Sequence, residues 1–126
     1  MGITTDGIEG EQWLMTFLHG KGFSCFQPDC IGKIHGIYYL FEVKHQERFK
    51  APPFDGHGLP LWQIEARLAF SEETKIRTIF VVKDKETNEV FYQYMDVLNK
   101  GKHFDTQGIK PRRIFPLESF KVESPT

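Results

Sequence analysis

The run Ile37-Tyr38-Tyr39-Leu40-Phe41-Glu42-Val43-Lys44-His45 is apolar and β-prone for five residues and then turns charged. Read with a period of two, it sets Tyr38, Leu40, Glu42 and Lys44 on one face and Tyr39, Phe41 and Val43 on the other. Glu42 and Lys44 therefore project side by side near the end of a strand, close enough to act on one bound group. Glu-x-Lys by itself is commonly a solvated edge. Its meaning rests on what the rest of the chain brings to it.

Upstream, Pro28-Asp29 is separated from Glu42 by twelve residues, the span of a hairpin, which sets Asp29 on the neighbouring strand beside Glu42. Two carboxylates a few ångströms apart raise each other's pKa unless a cation lies between them. A hard divalent ion such as Mg²⁺ takes carboxylate oxygens and waters at about 2.0 to 2.1 Å. Asp29, Glu42 and the carbonyl of Val43 can supply that shell, with Lys44 placed to orient a nucleophile or stabilise the charge of a phosphodiester transition state.

A third acid is out of place. At 100° per residue, Glu11 falls in the middle of the stripe formed by Ile8, Leu14, Met15 and Leu18, whereas Glu9 lies on the polar side and completes a capping box with Asp6. A carboxylate in an apolar stripe needs a cation or a hydrogen-bond donor.

Around these residues the pattern predicts a helix from Gly7 to His19, then strands at Phe23 to Gln27, Asp29 to Ile34 and Ile37 to His45 forming an antiparallel meander. A long loop from His45 to Leu59 follows, then a helix from Pro60 to Glu73 with Leu61, Ile64 and Leu68 on one side. Arg77 to Asp84 and Val90 to Met95 read as a hairpin, with a short strand near Arg113 to Leu117 and a frayed end at Glu123-Ser124-Pro125-Thr126. The order is α-β-β-β-α-β-β in one domain, 1–126, and no internal repeat is found.

Pro28-Asp29, then Glu42-Val43-Lys44 on a strand, with an acid on the preceding helix and a glutamine on the next, resembles the PD-(D/E)XK nuclease superfamily. Gly7-Ile8-Glu9-Gly10-Glu11, the approach to Gly22-Phe23, and Gln63-Ile64-Glu65-Ala66-Arg67-Leu68 are similar to the branch containing archaeal-type Holliday junction resolvases. The resemblance implies an α/β, restriction-endonuclease-like core: a central mixed β-sheet flanked by helices. It also implies an endonuclease dependent on Mg²⁺, with Mn²⁺ able to substitute. Glu11, Asp29, Glu42, Lys44 and Gln63 would be its catalytic residues, and Glu11, Asp29, Glu42 and Val43 its metal ligands. The implied substrate is branched DNA and the implied assembly a homodimer, since a four-way junction presents two symmetric scissile strands.

Between Lys44 and Gln63 the chain departs from the resolvase pattern, with a loop containing Pro52-Pro53-Phe54-Asp55-Gly56-His57-Gly58. Arg48, Lys50 and His57 are candidate phosphate contacts there, and Phe49 and Phe54 candidate wedges against unstacked bases. Arg67, on the side of the second helix that carries Gln63, and the basic Lys110, Arg112 and Arg113 complete the expected DNA-contacting set.

Sixteen basic against seventeen acidic residues give a net charge of −1, so no global positive field announces a nucleic-acid partner. Acids committed to a metal site account for part of that balance, and the basic residues gather in the Arg48 to His57 and Lys100 to Arg113 stretches. No apolar run is long enough for a membrane span, and the expected location is cytoplasmic. Cys25 and Cys30 read as reduced thiols; a zinc site would have to recruit histidines. The rival readings are a nicking, exonucleolytic or restriction-like nuclease on linear or single-stranded DNA, and a catalytically silent nucleic-acid-binding module.

Overall fold

The structure, a computed structural model, describes residues 5–23, 29–50 and 52–123; of residues 5–9 and Glu11 it describes the helical backbone and not the side chains. Helix α1 (Thr5–Gly20) is followed by strands β1 (Cys30–Ile34) and β2 (Ile37–Gln46), an antiparallel hairpin closed by His35-Gly36. Both turn residues have positive φ, 51° and 78°, the geometry a two-residue hairpin turn requires and one that a glycine adopts without strain. The strand predicted at Phe23 to Gln27 lies outside the described residues except for Phe23.

Next come β3 (Gly56–Pro60), α2 (Leu61–Thr74), β4 (Arg77–Asp84), β5 (Val90–Tyr94), α3 (Met95–Lys100), β6 (Phe104–Asp105), β7 (Arg112–Pro116), a 3-10 turn at Leu117–Ser119, and β8 (Lys121–Glu123). Among the described residues the main sheet has the order β1-β2-β4-β5-β8, parallel between β2 and β4 and antiparallel elsewhere. A smaller sheet, β3-β7-β6, is antiparallel. The fold is thus mixed α/β, a central mixed sheet flanked by helices, as the sequence implies.

The helices predicted at Gly7 to His19 and Pro60 to Glu73 and the strands predicted at Asp29 to Ile34, Ile37 to His45, Arg77 to Asp84 and Val90 to Met95 are present, and β3 is a strand that the sequence does not predict. Where a loop is predicted, Gly56–Pro60 forms a strand whose first four residues are buried. Helix α3 and strands β6 and β8 are further elements that the sequence pattern does not signal.

The core lies on one face of the main sheet. Phe80 and Val82 of β4 and Phe91 of β5 meet Ile64 of α2, Met95 of α3 and Phe115 of β7 there, all almost fully buried. Burying side chains of this size stabilises a domain by about 1.5–3 kcal/mol each before entropy is counted. In α1, Met15 and Leu18 of the predicted stripe are half-buried, whereas Leu14 is exposed, as are Trp13 and Phe17, whose rings stack at 5.4 Å. Among the described residues no helix is long and apolar enough to cross a membrane.

Candidate active site

Strand β1 meets β2 with Cys30 opposite Phe41, and continuing that register by one residue sets Asp29 opposite Glu42. The Val43 N–H donates to Asp29 Oδ2 at 2.9 Å, and Asp29 and Glu42 lie within hydrogen-bonding reach of one another. The two acids that the hairpin length predicts to be neighbours are brought together. Val43 joins them through its N–H.

The two carboxyls titrate in opposite directions. Burial pushes Asp29 up, but the hydrogen bonds from Glu42 and Val43 and the charges of Lys44 and Arg67 outweigh it, leaving the Asp29 carboxyl below its ordinary range. Glu42, only 2% exposed, is raised by burial first and then by its bond to Asp29 and that anion's charge, with Arg67 pulling the other way.

Parallel pairing of β2 with β4 aligns Glu42 with Phe80, Lys44 with Val82 and Gln46 with Asp84. Glu42 and Lys44 therefore share the core-facing side of the sheet, the side on which α2 packs. Lys44 is half-buried there. Gln63 is half-buried on α2, and Arg67, one turn further along the same helix side, is 5% exposed with its Nε 2.9 Å from Glu42 Oε1. Arg67 belongs with the carboxylates, which corrects its expected role as a DNA contact: a guanidinium this deeply buried on a carboxylate is out of a phosphate's reach. The signal was present, because at 100° per residue Arg67 sits only 60° from Ile64, bordering the apolar side. An arginine beside that stripe calls for a partner as Glu11 does. The Glu11 side chain itself, Pro28 and Cys25 lie outside the described residues. Among those described, no group of three or more His, Cys, Asp or Glu is gathered as a metal site.

The Arg48 to His57 segment is organised around a different acid. His57 is fully buried, with Nε2 2.8 Å from Asp84 Oδ2 and Nδ1 3.1 Å from Gln46 Oε1, and its ring lies against Phe91 and Phe120. Arg48 Nε donates to the same Asp84 oxygen at 3.0 Å and also pairs with Glu86; Lys50 pairs with Glu86 as well. Asp84 Oδ1 accepts from the N–H groups of Glu86 and Thr87, closing the β4–β5 turn. His57 is therefore a core residue and not a phosphate contact, and Arg48 is drawn inward by Asp84. Phe49 and Phe54 are half-buried, with Lys102 over the Phe54 ring at 5.3 Å.

In the C-terminal basic stretch, Arg113 forks onto both oxygens of Asp105 at 2.8 and 2.9 Å and also reaches Asn99, so its donors are committed to structure. Arg112 donates to the Gly58 carbonyl across β3 and β7, while Lys110 is exposed. Of the expected basic contacts, Lys110 is exposed, while Lys50, also exposed, has its ammonium on Glu86.

This second network makes the fold acid-sensitive. Burial raises the Asp84 carboxyl, but His57, the Thr87 and Glu86 amides and Arg48 outweigh it and hold it at about 2 against an ordinary 3.8. Its contribution is fully present above the unfolded value and is lost as pH falls through about 2. Burial lowers His57 below its ordinary 6.5 despite Asp84 and its hydrogen bond, so protonation of the unfolded chain already favours unfolding as pH falls below that value. In Asp84→Asn, urea midpoints measured from neutral to acid pH should lose the lower stage of this decline, worth roughly 2 kcal/mol. An unchanged acid limb would contradict the assignment.

No family model matches the chain, and no curated protein matches it. Among solved structures, a similar one is that of Archaeoglobus fulgidus Hjc, a Holliday junction resolvase from an archaeal hyperthermophile. The similarity covers 88% of this chain and 84% of that one, at 15% identity and a TM-score of 0.46.

Proposed function

We propose that this chain is a metal-dependent endodeoxyribonuclease of the PD-(D/E)XK type with a restriction-endonuclease-like core, selective for branched DNA and acting as a homodimer inside the cell. The observation that carries the reading is the meeting of Asp29 with Glu42 across a hairpin, with Lys44 on Glu42's face of the strand. The donor set fits a hard divalent ion, because carboxylate and carbonyl oxygens suit Mg²⁺ or Mn²⁺ and no thiolate or imidazole is part of it. Glu11, Asp29, Glu42 and the Val43 carbonyl would hold the ion. When bound, it neutralises charge on the phosphate and lowers the pKa of water.

The chain's own residues do the rest. Lys44, on the same strand face as Glu42 and about 6.6 Å along it, places an ammonium where it can orient the attacking water and offset the charge that grows on the phosphate oxygens. Helix α2 crosses between the parallel strands β2 and β4 and so runs antiparallel to them, which sets Gln63, about 6 Å N-terminal of Arg67, in the direction of Lys44. Gln63 is thereby suited to hold the water or the substrate. Lys110 and Lys50 are the phosphate contacts this reading retains, with Phe49 and Phe54 as candidates for contact with unpaired bases.

Labelled four-way, flap, duplex and single-stranded DNAs incubated with Mg²⁺ decide among the readings. Cleavage of the four-way junction at least about tenfold faster than duplex is the expected result. Equal rates on all substrates would replace the resolvase reading with a nicking, exonucleolytic or restriction-like one. Binding without cleavage under Mg²⁺ and Mn²⁺ alike would leave a silent DNA-binding module.

A further inference from the structure

The sheet face that carries Asp29 and Glu42 also carries an apolar cavity. Moving along the β1–β2 hairpin from that acid pair, the next cross-strand pairs on the same face are Ile31 with Leu40 and Lys33 with Tyr38. On α2, Phe70 lies about one turn beyond Arg67, and Ile76 follows the helix into β4. Ile31, Tyr38, Leu40, Phe70 and Ile76 together line a cavity of about 290 Å³. The Tyr38 hydroxyl is the one polar group among these side chains. Leu40 is 1% exposed and forms the floor, whereas Ile31 and Tyr38 at the mouth are 57% and 50% exposed.

Charge narrows what such a cavity takes. The residues between Asp29 and Glu42 include no acid, and the side chains among them that can carry positive charge are Lys33 and His35. The Lys33 ammonium lies over the Tyr38 ring, 5.1 Å from its centroid, at the cavity mouth. A flat, largely apolar group joined to an anion is complementary to this arrangement, and a nucleobase on its phosphate backbone has that chemistry. An aromatic side chain stacks on any base, because every base has a π-face. With no amide or carboxylate among the lining side chains, the cavity has little with which to tell one base from another. A base inside a duplex has to be unstacked and unpaired to enter, and that costs least where it is already unpaired. A second copy of the chain is a poorer fit: a two-fold contact through this mouth would bring Lys33 of each copy together, like charge against like.

We propose that this cavity binds one unpaired base of a DNA strand, stacked against Tyr38 with Lys33 on a neighbouring phosphate, and so supplies the preference for branched over paired DNA. Tyr38 stands four residues before Glu42 on β2, about 13 Å along the strand. That is at most about four nucleotides at the ~3.4 Å spacing of a duplex strand, near enough for the captured base and the phosphate at the acids to belong to one strand. The inference rests on the nuclease reading for the identity of that strand. It adds the feature of the DNA that is recognised, an unpaired base of any sequence beside the scissile bond.

The test is fluorescence titration of the whole chain, in metal-free buffer, into duplex DNA carrying one 2-aminopurine, either as a single-base bulge or paired with thymine in an otherwise identical duplex. Wild type should bind the bulged duplex about tenfold more tightly or better, the scale of one base stacked on an aromatic ring, and binding should change the emission of the bulged base. Tyr38→Leu keeps apolar bulk at the mouth and removes the ring, so it should lose most of that preference while its affinity for the paired duplex stays level. Tyr38→Phe should keep the preference. Lys33→Gln should weaken binding to the bulged duplex and lower its salt slope by about one. A thermal transition for each variant checks the fold. Should Tyr38→Leu not fold, Ile31→Trp, which fills the mouth from the exposed edge strand, takes its place with the same expected loss. An undiminished preference in the folded variant overturns the proposal, and so does a wild type that binds both duplexes equally. Self-association lost in Tyr38→Leu with the base preference intact, seen by sedimentation, overturns it in favour of a second copy of the chain at this mouth. The titration needs neither metal nor cleavage, which keeps the two readings separable. Capture of the bulged base by a chain that cleaves nothing with Mg²⁺ refutes the nuclease reading and leaves base capture standing, whereas junction cleavage without base preference refutes this inference alone.

Discussion

Glu42→Gln is expected to reduce Mg²⁺-dependent cleavage of a four-way junction by about 10³-fold or more, the scale on which loss of one charge-stabilising group acts at an active site. DNA affinity should stay level or tighten, because one negative charge facing the phosphates is removed. The choice of glutamine follows from Arg67. Glu42→Ala would leave a guanidinium at 5% exposure without its carboxylate, and breaking a buried pair in this way costs about 3–5 kcal/mol. In a domain of this size that is a fall in melting temperature of roughly 10 °C or more, so loss of cleavage in the alanine variant would be confounded with loss of fold. Glutamine keeps the side-chain volume and an oxygen for Arg67 Nε while removing the anion. Single-turnover cleavage, a gel-shift titration and a thermal melt on the same preparation check all three parts. Cleavage within tenfold of wild type would remove Glu42 from the chemistry.

What could be read from the sequence divides along the range of the forces involved. Asp29 beside Glu42 was legible because everything that sets it is local: a strand pattern of period two, a twelve-residue separation and the His35-Gly36 turn. Arg67 on Glu42 was not, since the partners are 25 residues apart across a strand and a crossover helix, and a charged residue beside an apolar stripe is ordinarily assigned to solvent. The Asp84 cluster was hidden for the same reason. Asp84 reads as the acid of a turn, which it is through Oδ1, while its other oxygen gathers His57 and Arg48 from a segment whose prolines, glycines and basic side chains suggested a loop over DNA. Helix α3 spans only Met95–Lys100 directly after β5, too short for a helical period to emerge from the strand that precedes it.

The sharpest reversal concerns Gly56-His57-Gly58, and it predicts the second large effect. Glycine weakens a strand, and β3 has no β-branched residue, so no propensity marks it. The strand forms because β7 passes unusually close: a Cβ on Gly58 would overlap the Arg113 carbonyl oxygen and lie 2.7 Å from Ile114 Cδ1, and one on Gly56 would overlap the Phe115 carbonyl oxygen. The obstacle in each case is backbone of the paired strand, which cannot retreat without opening the ladder. Gly58→Ala should therefore destabilise the fold by about 3 kcal/mol or more, the upper range for an overpacked site. Much of that loss would pass through His57, because displacing β3 withdraws the imidazole from Asp84 and leaves a fully buried carboxylate short of a donor. A contact role on DNA predicts the opposite pattern: weaker binding at an unchanged urea midpoint. A lowered midpoint for Gly58→Ala, with the residual folded protein binding DNA normally, assigns the segment to the scaffold and leaves the proposed DNA contact to other basic side chains, Lys110 first among them.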